Sequence, residues 1–578
     1  MTWRKEGRLL AALVVALAII GLTMASAIRR GMDHAVMIGP GDQTAIAISF
    51  SNSLYGLNLG YIGYRKVFDT IQSYWNRDAS GWDNLEQLKS NFHNRELLNA
   101  GIRAAASLGP QAPGYISDGT LITTYYDDMG EVDYVSIAFK LFGKRVESLF
   151  YFYFVLLALS AIVFVLAFQN HVFALGLLYT TLFAYYIELY LKFFEPVGMP
   201  TYWGMRHSST LCLVPTLHLA LLLLLRKKLS LAIAVGAVLQ VILFIFIWRI
   251  RGSVAWAMVF LFGFAVTLAA IEIWPRSFEQ WPRTWITIGR RIINFVRSAI
   301  SVALSGRVFV RHSLRWPLVF LISGILANGL YNRLTLHPVY DTDDILAYHG
   351  IWHSVHLGLT INAPDVVSPK VMYIIRTEGL SDNVTVWSAR DYLDRIHLIP
   401  WNGKPELVTP APGYLSTWHG IGVRQAWHDR TLRSAYFDIL INNPVRMLWL
   451  YAAMPLNVLR VLITPFSQAP SLAWLWLIIA AGAGVLLMLL SFPGSGSLTE
   501  GGKIVAVGAA AMATATLPNL VSYVATQSMA DSILLIMSVA SAALGFGTYA
   551  LISWVRRCIR RTAVTSNPSA GPAILNVR

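Results

Sequence analysis

Apolar residues along this chain gather in long uninterrupted runs rather than in alternating or three-to-four patterns. The first, Leu9 to Ile28, follows Arg4, Lys5 and Arg8. Further runs cover 148–168, 171–190, 208–225, 229–248, 252–274 and 316–331, then 445–464, 472–491, 503–525 and 531–554. Most approach the roughly 20 residues that carry a helix across a hydrocarbon layer about 30 Å thick. A helix also satisfies its own backbone N–H and C=O groups, which lipid cannot do. The pattern predicts an all-α integral membrane protein.

The polar stretches between the runs set its organisation. Residues 1–28 read as an uncleaved first transmembrane helix with a cytoplasmic N-terminus. Residues 29–147 form a first extracytoplasmic loop. The end of that loop, Glu131 to Lys144, alternates apolar and charged positions and predicts an amphipathic helix on the membrane surface. A transmembrane bundle, 148–274, is followed by a basic loop, 275–315, with Arg276, Arg283, Arg290, Arg291, Arg297, Arg307, Arg311 and Arg315. That loop is cytoplasmic both by its positive charge and by counting crossings. A helix at 316–331 leads to a second extracytoplasmic region, 332–471. C-terminal helices, 472–555, precede a cytoplasmic tail, 556–578.

The count depends on the segment 445–464, which carries Arg446, Pro455 and Arg460. Were it to span, there would be eleven helices, and Arg556, Arg557, Arg560 and Arg561 would lie outside. If it lies in the interface there are ten, and that cluster is cytoplasmic. Ten is the preferred count.

Composition agrees. Hydrophobic residues make up 55% of the 578 and charged residues only 13%, against about a quarter charged in soluble domains. The net charge of +15 sits mostly beside the apolar runs, where it reads as topology signal and contact with anionic lipid rather than nucleic-acid binding. Cys212 lies in an apolar run and Cys558 in the basic tail, so neither a disulfide framework nor a cysteine metal site is expected.

Chemistry concentrates in YYDDMGEVDY, Tyr125 to Tyr134. Asp127, Asp128, Glu131 and Asp133 lie within seven residues at the start of the surface helix. Acids there can simply complement the helix dipole. Four of them crowded together would also raise at least one pKa, as a general base requires. The arrangement as a whole resembles the GT-C glycosyltransferases, which include protein O-mannosyltransferases and lipid A aminoarabinose transferases. They share an N-terminal helix, an extracytoplasmic loop with an acidic pair and D-x-x-x-x-D-Y, an amphipathic helix and a bundle. FDILINNPVRML, Phe437 to Leu448, is similar to the sequence by which such enzymes enter a late membrane helix.

The resemblance implies inverting transfer of a sugar from a polyprenyl-phosphate donor to a lipid or glycan acceptor hydroxyl, on the periplasmic side of a bacterial inner membrane. Asp127 or Asp128 would be the base, with Glu131 and Asp133 in support. The departing phosphate needs cations, best supplied by arginine. Arg206 and His207 are on the expected side, or else anchor an aromatic belt. Arg249 and Arg251 sit in a tight outer turn, where they either snorkel or hold a phosphate.

The second region contains His337, Asp341, Asp343, Asp344, His349, His353 and His356. His349 and His353 would share a helix face, a workable pair of ligands for a divalent ion. The alternative is an acceptor cleft lined by hydrogen-bonding His and Trp. Glu188 and Asp531 fall within runs but near their ends. Two other classes compete with the transferase: a polysaccharide polymerase or O-antigen ligase, with its chemistry in the second region, and a lipid or solute transporter. The latter would show ionisable groups or broken helices inside the spans.

Overall fold

The computed structural model describes residues 2–29, 94–108, 129–191, 205–225, 230–273, 312–335, 351–378, 383–397, 425–454, 498–515 and 526–565, with scattered positions between 46 and 74 and residues 121–122. Apart from a two-residue antiparallel ladder pairing Gly63–Tyr64 with Leu121–Ile122, the described elements are helical. The chain is an all-α membrane protein. Four helical stretches are long and apolar enough to cross a bilayer, namely Glu6–Arg29, Glu147–Phe168, Leu231–Ile250 and Leu534–Ile552. Shorter apolar helices occur at Val172–Ile187, Ser208–Leu224 and Ala255–Ala269.

α1 (Thr2–Arg29) packs against α4 (Glu147–Phe168) and α5 (Val172–Leu191), and Tyr179 donates from its hydroxyl to the Ala12 carbonyl at 3.2 Å. After a 3-10 stretch, Met205–Cys212, come α6 (Leu213–Leu224) and α7 (Leu231–Ile250). A second 3-10 turn, Gly252–Val254, leads into α8 (Ala255–Ile273). Polar side chains between these helices satisfy one another, as burial away from water requires. Gln240 of α7 accepts from Ser160 of α4 and returns a bond to the Ser160 carbonyl, both at 2.8 Å.

Near the C-terminus, α16 (Leu498–Ala515) and α17 (Thr526–Thr565) pack together and onto α5. Thr181 and Ser538 share a hydroxyl bond at 2.6 Å. α17 runs for 40 residues, about 60 Å of helix, so its backbone stays helical through the arginines expected to begin a tail. No proline or glycine interrupts it between Gly547 and Thr565, and helix continues where nothing stops it. α9 (His312–Thr335) likewise outruns the 316–331 run at both ends.

Two surface helices pack against the bundle. α2 (Arg95–Ala106) docks through Asn99, whose amide nitrogen reaches Glu147 at 3.1 and 3.2 Å and whose oxygen accepts from the Val146 N–H at 3.0 Å. α3 (Met129–Phe142) is the expected amphipathic helix. It buries Val132, Val135 and Phe139 in the main core, and the buried Tyr134 donates to the Leu149 carbonyl at 2.6 Å.

The second polar region builds a separate apolar cluster. It comprises α10 (Ile351–Asn362), α11 (Pro364–Val367), α12 (Pro369–Glu378), α13 (Asn383–Arg395), α14 (Gln425–Asn442) and a helix over 444–454, α15. Val355, Leu359, Val371, Ile439 and Met447 meet at its centre. The basic loop and the run at 472–491 lie outside the described residues.

Candidate functional site

Asp133 and Arg249, separately expected to support the base and to bind phosphate, meet. The Arg249 Nη2 donates to Asp133 Oδ2 at 2.8 Å. Its Nη1 donates to Asn332 Oδ1 at 2.9 Å and to Asn328 Oδ1 at 3.2 Å, and the guanidinium lies 4.6 Å from the Tyr331 ring centre. Only 8% of the Arg249 side chain is exposed. The snorkelling reading is therefore replaced: the side chain turns inward, because a carboxylate, two amides and an aromatic face await it there.

Local backbone packing allows the meeting. A Cβ at Gly130, in the first turn of α3, would come within 2.5 Å of the Arg249 carbonyl carbon and the Ile250 nitrogen. Only glycine lets α3 press so closely on the end of α7, and this brings Asp133, three residues on, to Arg249. On α9, a Cβ at Gly324 would meet Val241 Cγ1 at 2.6 Å, so α7 and α9 also approach closely.

Where α3, α7 and α9 converge there is a groove of about 480 Å³. One end is polar, with Asp133, Ser136, Lys140, Arg249, Asn328 and Tyr331. The rest is walled by Ile137, Val241, Ile242, Ile245, Phe246 and Ala327. Ile242 is 59% exposed, and Val238 and Leu239 are exposed beside it on α7, as are Leu326 and Leu330 on α9. The groove thus opens onto an apolar surface. Asp133 neutralises Arg249, so Lys140, which is exposed, leaves one surplus positive charge at the polar end. Such a site suits an amphiphile with an anionic head and a hydrocarbon tail.

The other expected residues fall as follows. Asp127 and Asp128 lie outside the described residues, immediately before Met129 opens α3. Glu131 is fully buried and so is not a solvent-facing helix cap. Arg206 and His207 begin the 3-10 stretch ahead of α6. Arg251 ends α7, its backbone N–H donating to the Ile247 carbonyl at 2.9 Å.

His337, Asp341, Asp343, Asp344 and His349 lie outside the described residues. The Nδ1 of His353 is hydrogen-bonded with Thr385 at 3.2 Å. His356, one turn on, is fully buried and bonded through Nε2 to Ser388. The face of α10 that carries both histidines is thus laced to α13. Burial, with the nearby His353 and Arg395 adding to it, lowers the His356 pKa to about 3. Asp429 caps α10, accepting from the Trp352 N–H at 2.8 Å. Among the described residues no group of three or more His, Cys, Asp or Glu could hold a metal ion.

Sequence reasoning missed Ser136, Lys140, Asn328 and Tyr331. The spacing of 133, 136, 137 and 140 does place those four on one helical face, a signal available without coordinates. The two α9 residues carried none, because they lie near the end of an apolar run. Comparison with family models, with curated proteins and with solved structures finds no match for this chain.

Proposed function

We propose that this chain is a membrane glycosyltransferase that moves a sugar from a polyprenyl-phosphate donor to a lipid or glycan hydroxyl, with inversion, on the extracytoplasmic side. The observation that carries the reading is the groove between α3, α7 and α9. It joins a surplus cation to an apolar wall open toward lipid, immediately after the acidic pair Asp127 and Asp128 in sequence. In this reading the phosphate sits near Lys140 and the prenyl chain lies along Ile137, Ile242 and Ile245.

The Asp133–Arg249 pair acts as a positioning element, fixing the start of α3 against α7. The acceptor oxygen attacks the anomeric carbon as the bond to the phosphate oxygen breaks. Its proton passes to Asp127 or Asp128, and the lipid phosphate departs as an anion. A divalent ion could assist that departure, held by acids of either polar region. The ten-span topology belongs to the same proposal, with the active side periplasmic in a bacterial inner membrane and 556–578 cytoplasmic.

The experiment is transfer from a radiolabelled polyprenyl-phosphate sugar in proteoliposomes, with Asp127→Asn and Asp128→Asn tested singly. Loss of transfer in one of them, with donor binding kept, is the expected result. Full activity in both removes the assigned base.

A further inference from the structure

The second polar region has an outward face whose character changes along its length. At the start of α14 that face is polar, with Arg430, Arg433 and Ser434 exposed. From Phe437 onward it is apolar. Phe437 is 45% exposed, Ile441 74%, Val445 67%, Leu448 72% and Trp449 69%, and Ala452 and Ala453 follow, also exposed. Continuing past the break at Asn443–Pro444, this face extends along about 24 Å of helix at 1.5 Å per residue. Its one exposed cation, Arg446, is paired with Asp365 at 3.3 Å.

The opposite face of the same two helices is satisfied by protein. Ile439 and Met447 are buried in the local cluster, and the Tyr436 and Tyr451 hydroxyls bond to each other. Behind it lie charged groups that need water. The Lys370 side chain is 54% exposed and pairs with Asp394 at 2.9 Å, and Arg395 pairs with Asp391 at 3.1 Å. Charges of this kind are costly in hydrocarbon, so this unit stands on the aqueous side and α15 forms its edge.

We propose that the face running from Phe437 to Ala453 is seated in the outer leaflet of the bilayer. α15 lies in the plane of the interface, with Arg430 and Arg433 at the headgroups. Three observations favour lipid over a protein occupant. Exposed apolar side chains are too many and too contiguous for a water-facing surface. The polar-to-apolar change along one face matches the passage from headgroup to acyl chain, with Trp449 as an interfacial aromatic. The chain also carries membrane helices, and α9 enters this same region, so the leaflet is within reach. The proposal is independent of the transferase reading.

The test uses the full chain in nanodiscs of phosphatidylethanolamine and phosphatidylglycerol, with Cys212→Ala and Cys558→Ser. Single spin labels are placed by Val445→Cys, Leu448→Cys, Trp449→Cys or Arg433→Cys. Collision with oxygen should exceed collision with a water-soluble nickel chelate at 445, 448 and 449, and the order should reverse at 433. High nickel access at all four sites overturns the proposal in favour of solvent. Low access of both reagents at 445–449 overturns it in favour of a covering protein surface. In the cysteine-intact chain, p-benzoylphenylalanine at position 449 should yield a phospholipid adduct on illumination. Crosslinks only to protein, or none, contradict the proposal.

Discussion

Asp133 of α3 and Arg249 of α7, 116 residues apart in sequence, form a 2.8 Å ion pair at the polar end of the groove. Neither partner is solvent-swept, since 28% of the Asp133 side chain and 8% of the Arg249 side chain are exposed. A pair buried to this degree is strongly destabilised when one member is lost, because the other remains as an uncompensated charge. Arg249→Met should therefore lower stability by about 3 kcal/mol, and Asp133→Asn, the more exposed partner, by about 1–2 kcal/mol. Thermal unfolding in detergent gives both values. The double variant should lose less than their sum; additive losses would show that the two side chains act apart.

The two tight glycines separate backbone from side-chain crowding. Gly130→Ala drives a methyl group into the Arg249 and Ile250 backbone, which cannot turn aside. It should cost about 2–3 kcal/mol and displace the start of α3. Gly324→Ala meets the Val241 Cγ1, a side chain with other rotamers, and should cost about 1 kcal/mol. Melting temperatures of the two variants check the order, and a larger loss for Gly324→Ala would contradict this packing.

Lys140 tests the groove as a binding site. Because it is exposed, Lys140→Gln should leave the fold intact. It should weaken polyprenyl-phosphate binding about tenfold while kcat changes little. The ratio of KM to kcat changes, measured in proteoliposomes, checks this. An unchanged KM would place the phosphate elsewhere.

His356 predicts a pH dependence of the second region. Its folded pKa is lowered from 6.5 to about 3 by burial. At neutral pH the ring is uncharged in both states and contributes nothing to the pH slope. As pH falls from about 6.5 toward about 3, the unfolded chain takes up a proton that the folded one refuses. Stability therefore declines through that window, by at most about 1.4 kcal/mol per pH unit. His356→Gln should flatten the slope of melting temperature against pH between 4 and about 6.5; an unchanged slope would assign it to other groups.

Much of the membrane architecture was legible because hydrocarbon imposes one rule, length of apolar run. α4, α5, α7 and α8 begin and end within a few residues of their runs. α3 was legible from its alternating charge. α2 was overlooked inside a stretch read only as mixed polar, although Asn94 caps it, accepting from the Leu97 N–H at 3.1 Å, and Glu96 and Arg103 match the dipole.

At the site, the acidic cluster and the arginine turn were each visible, but their pairing was not. It depends on a helix crossing that only Gly130 permits, and a single glycine does not announce its neighbour. His353 was singled out as a ligand, whereas its Nδ1 is hydrogen-bonded with Thr385, because the lateral packing of α10 on α13 has no sequence period of its own.

The most direct test of the central claim is a cryo-electron microscopy structure with a polyprenyl-phosphate analogue bound. The account predicts the phosphate beside Lys140 at the polar end of the groove, the prenyl chain along Ile242 and Ile245, and Asp127 or Asp128 facing the sugar position. A lipid bound away from α3, α7 and α9, with the groove empty, would contradict it.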